Sequence, residues 1–213
     1  STVMSDVFSK ATRAIVAAFA TIQIVGFFVD ATKAAVQFDT GIREVISLFG
    51  ATPPPGLFKT LEDGVNQLGR EFGTLTTAAV PALYEAISSG VPPDTVFDFL
   101  ATANKAAIGG VTDLATAVDG ITSVINAYGP SVLSAAEASD IMFVSVKLGK
   151  TTFDELSRSL FNVAPIAASM GVAFSDVGAA FAALTPSGTP TSVATTEISQ
   201  ALAELDRNST PLK

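Results

Sequence analysis

The sequence has no cysteine, no histidine and no tryptophan. Without cysteine there is no disulfide framework and no thiolate metal site, and cysteine usage leaves the redox compartment undetermined. Without histidine as well, a Ser-His-Asp triad, a Cys-His nucleophile pair, an HExxH zinc site and an imidazole proton shuttle are all excluded. Basic residues are scarce, 12 Lys and Arg against 20 Asp and Glu, for a formal net charge of −8. No basic patch of the kind that grips a phosphate backbone is available, so sequence-specific nucleic-acid binding is not expected. The imbalance lies late in the chain. Through Glu71 there are 7 acidic and 6 basic residues, and beyond it 13 and 6.

What is present is apolar. Hydrophobic residues make up 48% of the 213 positions, and the mean hydropathy is positive. That is enough for a sizeable core in one or two domains, and it argues against disorder by composition. Phenylalanine supplies most of the aromatic content, and alanine recurs in almost every apolar stretch. The mixture favours helices packed closely on one another. The chain opens at Ser1 without an initiator Met and stops at Lys213 without a closing feature, so a piece of a longer protein is expected.

Residues Ala14 to Val29 form an apolar run broken only by Thr21, Gln23 and Gly26 and flanked by Lys10, Arg13, Asp30 and Lys33. At 16 residues the run is shorter than the roughly 20 a spanning helix needs. It also lies too deep in the chain for a signal peptide. Three readings remain: a helix buried against partner subunits, a membrane-active segment, or the remnant of a targeting signal. Ala35, Phe38, Ile42, Val45 and Ile46 then recur at steps of three and four, which continues a helix toward Phe49. Gly50 and Pro53-Pro54-Pro55-Gly56 end it, because proline cannot donate into the helical ladder.

Beyond this break, glycine stops at Gly73, Gly90, Gly110, Gly129, Gly149, Gly171 and Gly188 recur at about the length of a four-turn helix plus a connection. Start signals alternate with them. Pro93-Asp94 precedes Val96, Ser134 to Glu137 and Thr152 to Glu155 have the form of capping boxes, and Ser175-Asp176 precedes Val177. In the helix opened by Thr152, Leu156, Leu160, Val163 and Ala167 fall on one stripe with Arg158 off it, and Pro165 is expected to kink or end that helix. Ile141 to Val146 is β-branched and apolar enough to pass for a strand, but its capping box and its distance to Gly149 favour helix.

The candidate chemistry is thin. The carboxylate pairs Glu62-Asp63, Asp154-Glu155 and Glu204-Asp206 sit too close in sequence to face one another across a scissile bond, because neighbouring helical residues point about 100° apart. They read as solvated faces and first-turn charges that favour the helix dipole. Ala107-Ile-Gly-Gly-Val111 lacks the preceding strand and the following Gly-Lys-Ser/Thr of a phosphate-binding loop, and reads as a helix stop. Ser187 to Ser192 reads as a flexible polar connection. No cofactor and no metal site is expected, and the protein is not read as an enzyme. Alanine-rich helical faces serve equally well inside a bundle or between copies of the chain.

Several pieces occur in a characteristic order: Phe38-Asp39, Leu68 to Phe72, Tyr84 to Gly90, Phe97 to Leu100, Ala107 to Val118, Ile125 to Gly129, Ala138 to Asp140, Lys147 to Leu156, Val163 to Ala168, Gly171-Val172, Ala179 to Leu184 and Thr196 to Leu202. Together, from Phe38 to Leu205, they resemble the core of tail tape measure proteins of long-tailed bacteriophages. The proline run at 53–55 and the stretch from Pro186 to Pro190 depart from that pattern. The resemblance implies a structural protein that lies along the tail lumen or tail tip, sets tail length during assembly, and leaves ahead of the DNA at infection for the host cell envelope. It implies no catalytic residues. It also implies a homo-oligomer of three copies about the tail axis, in contact with tail tube, tail tip or baseplate hub proteins. The alternative is a membrane-inserting, channel-forming segment that aids genome passage.

The expectation is therefore an all-α protein with a long N-terminal helix over 1–49, a Pro-rich break at 50–56 and a compact bundle of short helices over 57–213. Phe97, Leu100, Leu114, Ile121, Phe143, Leu156, Leu160 and Phe181 are expected in the core. Ile15, Phe19, Ile22, Val25, Phe27 and Phe28 surround most of their helix, and a helix apolar all round must be covered on all sides. They are the expected oligomer or membrane contacts.

Overall fold

A computed structural model describes residues 33–209, and every described regular element is helical. The first, α1, occupies residues 33–47. It is followed by α2 (Leu57–Phe72), α3 (Thr76–Ser88), α4 (Val96–Gly110), α5 (Leu114–Tyr128), α6 (Ala135–Leu148), α7 (Phe153–Ser169), α8 (Phe174–Leu184), a 3₁₀ turn (Thr185–Ser187) and α9 (Thr191–Ser209). The all-α expectation holds over these residues. The long helix over 1–49 falls largely on residues outside them.

α5 is the centre of the bundle. It packs against α3, α4, α6 and most extensively α7, which also packs against α9, while α8 rests on α6. The sequence pattern explains this: α5 buries Leu114, Ala117, Val118, Ile121, Val124 and Ile125, which between them occupy more than one face. α7 buries its expected stripe of Leu156, Leu160, Val163 and Ala167. Of the eight predicted core residues, six are buried, and Phe97 and Phe143 are half-buried. Those two rings cover glycines instead: Phe97 lies over Gly64 of α2, and Phe143 lies beside Gly109 and stacks at 4.9 Å on Phe153.

The start and stop signals are mostly realised. Gly73, Gly90 and Gly171 end their helices in the left-handed region, and Gly129 also has positive φ. Ser134 and Glu137 form both halves of a capping box. At Thr152 only half forms, because the Glu155 carboxylate turns to accept from Thr191 at 2.9 Å, tying the start of α7 to the start of α9.

α4 ends at Gly110 as expected, but the left-handed position falls to the next residue, Val111, at φ 53°. The reason is packing, since a Cβ on Gly110 would come within 2.6 Å of Phe153 Cβ, so this glycine is needed inside the helix. α8 starts at Phe174, capped by Ala173, ahead of the Ser175-Asp176 signal. Pro165 does not end α7 early, because the helix continues to Ser169. Pro165 and Phe161 both lie on the exposed face, where water can take the carbonyl that loses its amide partner.

Candidate functional site

The predicted contacts Ile15, Phe19, Ile22, Val25, Phe27 and Phe28 lie outside the described residues. α1, which follows them, is described from Lys33, and its first five residues are all exposed. It reaches the bundle through Ile42 and Val45, both fully buried, with Phe38 and Ile46 half-buried. Ala35 belongs to the same predicted stripe but sits in the exposed first turns. Arg43 pairs with Asp39 at 2.8 Å and lies 5.4 Å over the Phe58 ring, which holds α1 against α2.

α1 meets α3 where Gly41 faces Val80, and a Cβ at Gly41 would come within 2.6 Å of a Val80 methyl. To either side of this contact the helices leave a groove of about 680 Å³. Its apolar walls include Val36, Phe38, Val80, Pro81 and Tyr84, and its carboxylates are Glu44 and Glu85. Val36 is 60% exposed and Tyr84 41%. Burial, with the negative charges of Asp119 and Asp113 behind it, pushes the Glu85 carboxyl up from its ordinary value. The sequence held one signal of this surface. Val36 is an apolar residue off the stripe that binds α1 to the core, followed at steps of four by Thr40 and Glu44.

The carboxylate pairs are divided among structural ties. Asp63 pairs with Lys59 at 3.1 Å, and Glu204 pairs with Arg207 at 2.7 Å. Asp154 accepts from Arg158 at 2.9 Å and from Thr112 at 3.2 Å, joining α7 to the α4–α5 turn. Asp113 caps α5 by accepting from the Thr116 amide, which with the Thr116 hydroxyl holds its carboxyl below the ordinary range. Arg158 lowers the Asp154 carboxyl in the same way. Both shifts move the acids away from the neutral range in which a carboxyl works best as a general acid or base. The Tyr128 hydroxyl donates to the Val172 carbonyl at 3.0 Å, and burial pushes its pKa up to about 12.

Among the described residues no cluster of three acidic side chains could hold a metal ion. No single described helix is long and apolar enough to cross a membrane. α4 and α5 together pass by length and composition, but they are bent by 116° at their junction, and much of both is buried in the bundle.

These features define, over the described residues, an all-helical protein whose polar groups join helices to one another and which carries an open apolar groove between α1 and α3. Residues 62–212 match the family model of the phage-related minor tail protein, and the chain belongs to that family. It is 32% identical over 186 residues to the probable tape measure protein of Clostridium phage phiCD119, a match that takes in 85% of this chain and 20% of that protein. The chain therefore spans about one fifth of the length of that relative. No solved structure matches. The family gives the chain a structural role in the phage tail and places it in the virion tail.

Proposed function

We propose that the protein containing this chain is the tape measure of a phage tail, that it has no catalytic activity, and that this segment is a folded module of the ruler and not its measuring length. The similarity to a tape measure protein over 85% of the chain carries the first part of the reading. The geometry carries the last. As one continuous helix, residues 33–209 would span on the order of 260 Å at ~1.5 Å per residue. Folded as a compact body of this size, they have a radius of gyration of about 16 Å. The longest described helix, α9, has 19 residues and reaches about 28 Å. A ruler that counts residues gains little length from such a body.

In this reading the parent protein lies in the tail lumen, assembles as a homo-oligomer of three copies through residues 8–48, contacts tube and tip proteins, and leaves ahead of the genome for the host envelope. The test is tail length in phage carrying in-frame deletions. Removing residues outside this module should shorten the tail by about 1.5 Å per residue, whereas removing α8 and α9 should abolish or derange tails. A tail shortened in proportion by deletions inside the module would overturn the folded-module reading. Tail length indifferent to every deletion would overturn the ruler.

A further inference from the structure

We propose that the groove between α6 and α8 is where the free chain pairs with a second copy of itself, α6 against α6 in antiparallel order about a two-fold axis beside Val144.

α8 lies directly on α6 at Gly178, where a Cβ would come within 2.6 Å of the Ser145 hydroxyl and 2.9 Å of an Ile141 methyl. On the solvent side of that contact the two helices leave a groove of about 220 Å³. Its α8 wall is small, Gly178, Ala179 and Ala182, and its α6 wall carries Val144 and Leu148, which are 53% and 62% exposed. Large and small walls thus lie side by side on one patch. Such a patch is complementary to itself, because a two-fold axis seats Val144 and Leu148 of each copy over the small wall of the other.

Charge names the occupant. Asp140 and Lys147 are two turns apart on α6, which places them within about 20° of each other around the helix. Both are exposed, and Val144 stands between them along the exposed face. Neither belongs to an ion pair among the described residues. Antiparallel pairing about an axis between positions 143 and 144 sets Asp140 of each copy level with Lys147 of the other, about 5 Å along the helix to either side of the axis. Parallel pairing in register would set Asp140 against Asp140. Copies that run in one direction along a tail cannot be related by this two-fold. The pairing therefore belongs to the chain before assembly, and it does not rest on the three-copy reading.

The absence of cysteine makes the test direct, because a single cysteine beside a two-fold axis meets its own counterpart. The full chain carrying Val144→Cys is equilibrated at micromolar concentration in a glutathione redox buffer. The control carries Val132→Cys, at a valine 72% exposed on the α5–α6 connection. Val144→Cys should form linked dimers about tenfold more readily than Val132→Cys. Added to Val144→Cys, Asp140→Lys and Lys147→Asp should each lower the linked fraction severalfold, and the two together should restore it. Restoration cannot come from a better α6, because the double reversal opposes that helix's own dipole. Circular dichroism checks that each variant keeps its helix, and the comparison of positions 144 and 132 stands without the reversals. Equal linkage at 144 and 132 overturns the pairing. Single reversals without effect, or a helical double reversal that does not recover, overturn the antiparallel order and with it the two-fold.

Discussion

At Gly120 and at Gly41 the same device, a missing side chain, lets two helices touch, and the two contacts end differently. In the first, a Cβ on Gly120 of α5 would meet Ser157 of α7 at 2.6 Å from its Cβ and 2.7 Å from its Cα. Around this point Ala117, Val118, Ile121, Leu156 and Leu160 are all buried to within 1%. In the second, the Cβ would meet only the tip of Val80, and Val36, Gln37, Thr40 and Glu44 on the same side of α1 are exposed. Close approach alone does not close a helix interface. Large apolar residues must follow in register on both sides of the small one. α5 and α7 have them, and α1 and α3 do not.

The largest expected effect is in the closed region. Leu160→Ala, at a side chain 1% exposed, should destabilise the fold by about 2–5 kcal/mol in urea titration. An unchanged midpoint would mean that the α5–α7 seam is not the heart of the core. The paired glycine substitutions test the comparison itself. Gly120→Ala forces a methyl against backbone and should cost about 1–3 kcal/mol. Gly41→Ala gains helix propensity of about 1 kcal/mol and displaces one methyl that borders open space. It should stay within about 0.5 kcal/mol of the parent. Equal costs at both positions would erase the distinction between closed and open contact.

Much of the closed region was legible in the sequence, because capping and periodicity are local. The stripe of α7, the box at Ser134 and the stops at Gly73, Gly90 and Gly171 follow from spacing alone. Glycine was legible as a break but not as a contact. Gly41, Gly64, Gly110 and Gly120 all sit inside helices, where their use depends on a partner more than ten residues away along the chain. The groove was hidden for the same reason. It depends on Val36 facing Pro81 and Tyr84, an encounter set by how α1 crosses α3 and not by any local signal. The carboxylate ties were half legible: adjacency argued against catalysis, but nothing in the spacing showed that Asp154 would reach Thr112.

Val111 marks the one joint where the closed region bears backbone strain. The Thr112 amide donates to the Ala107 carbonyl at 3.0 Å, the same closing bond that Val91 makes to Ala86 and Val172 to Ala167. The residue at the left-handed turn is glycine in those two cases and valine here. A β-branched residue in that region costs about 1–2 kcal/mol, and Val111 is 92% exposed, so its side chain contributes almost no packing in return. Val111→Gly should therefore stabilise the fold by about 0.5–1 kcal/mol after the added chain entropy of glycine, read as a higher urea midpoint. A loss of stability would show that the Val111 side chain is held by something other than solvent.

The smallest effect separates the two regions by pH. Asp113, at the cap of α5, has its carboxyl lowered by the Thr116 amide, whereas Glu85, on the groove, has its carboxyl raised by burial and then by Asp119 and Asp113. A lowered acid contributes stability that is present above its unfolded value and lost as the pH falls through its folded value. A raised acid does the reverse: its charge is a cost at neutral pH, and protonation removes that cost as the pH falls through the raised value. On acidification from neutrality the fold should first gain slightly, as Glu85 takes up its proton, and then lose stability as Asp113 does. Both groups are substantially open to solvent, so each effect should amount to a few tenths of a kcal/mol. Glu85→Gln should raise stability at pH 7 and remove the early gain, while Asp113→Asn, which preserves a good cap, should soften the later loss. The measurement is thermal unfolding of all three chains from pH 7 down to pH 3. A Glu85→Gln chain less stable than the parent at pH 7 would show that the Glu85 carboxylate is paired with a cation.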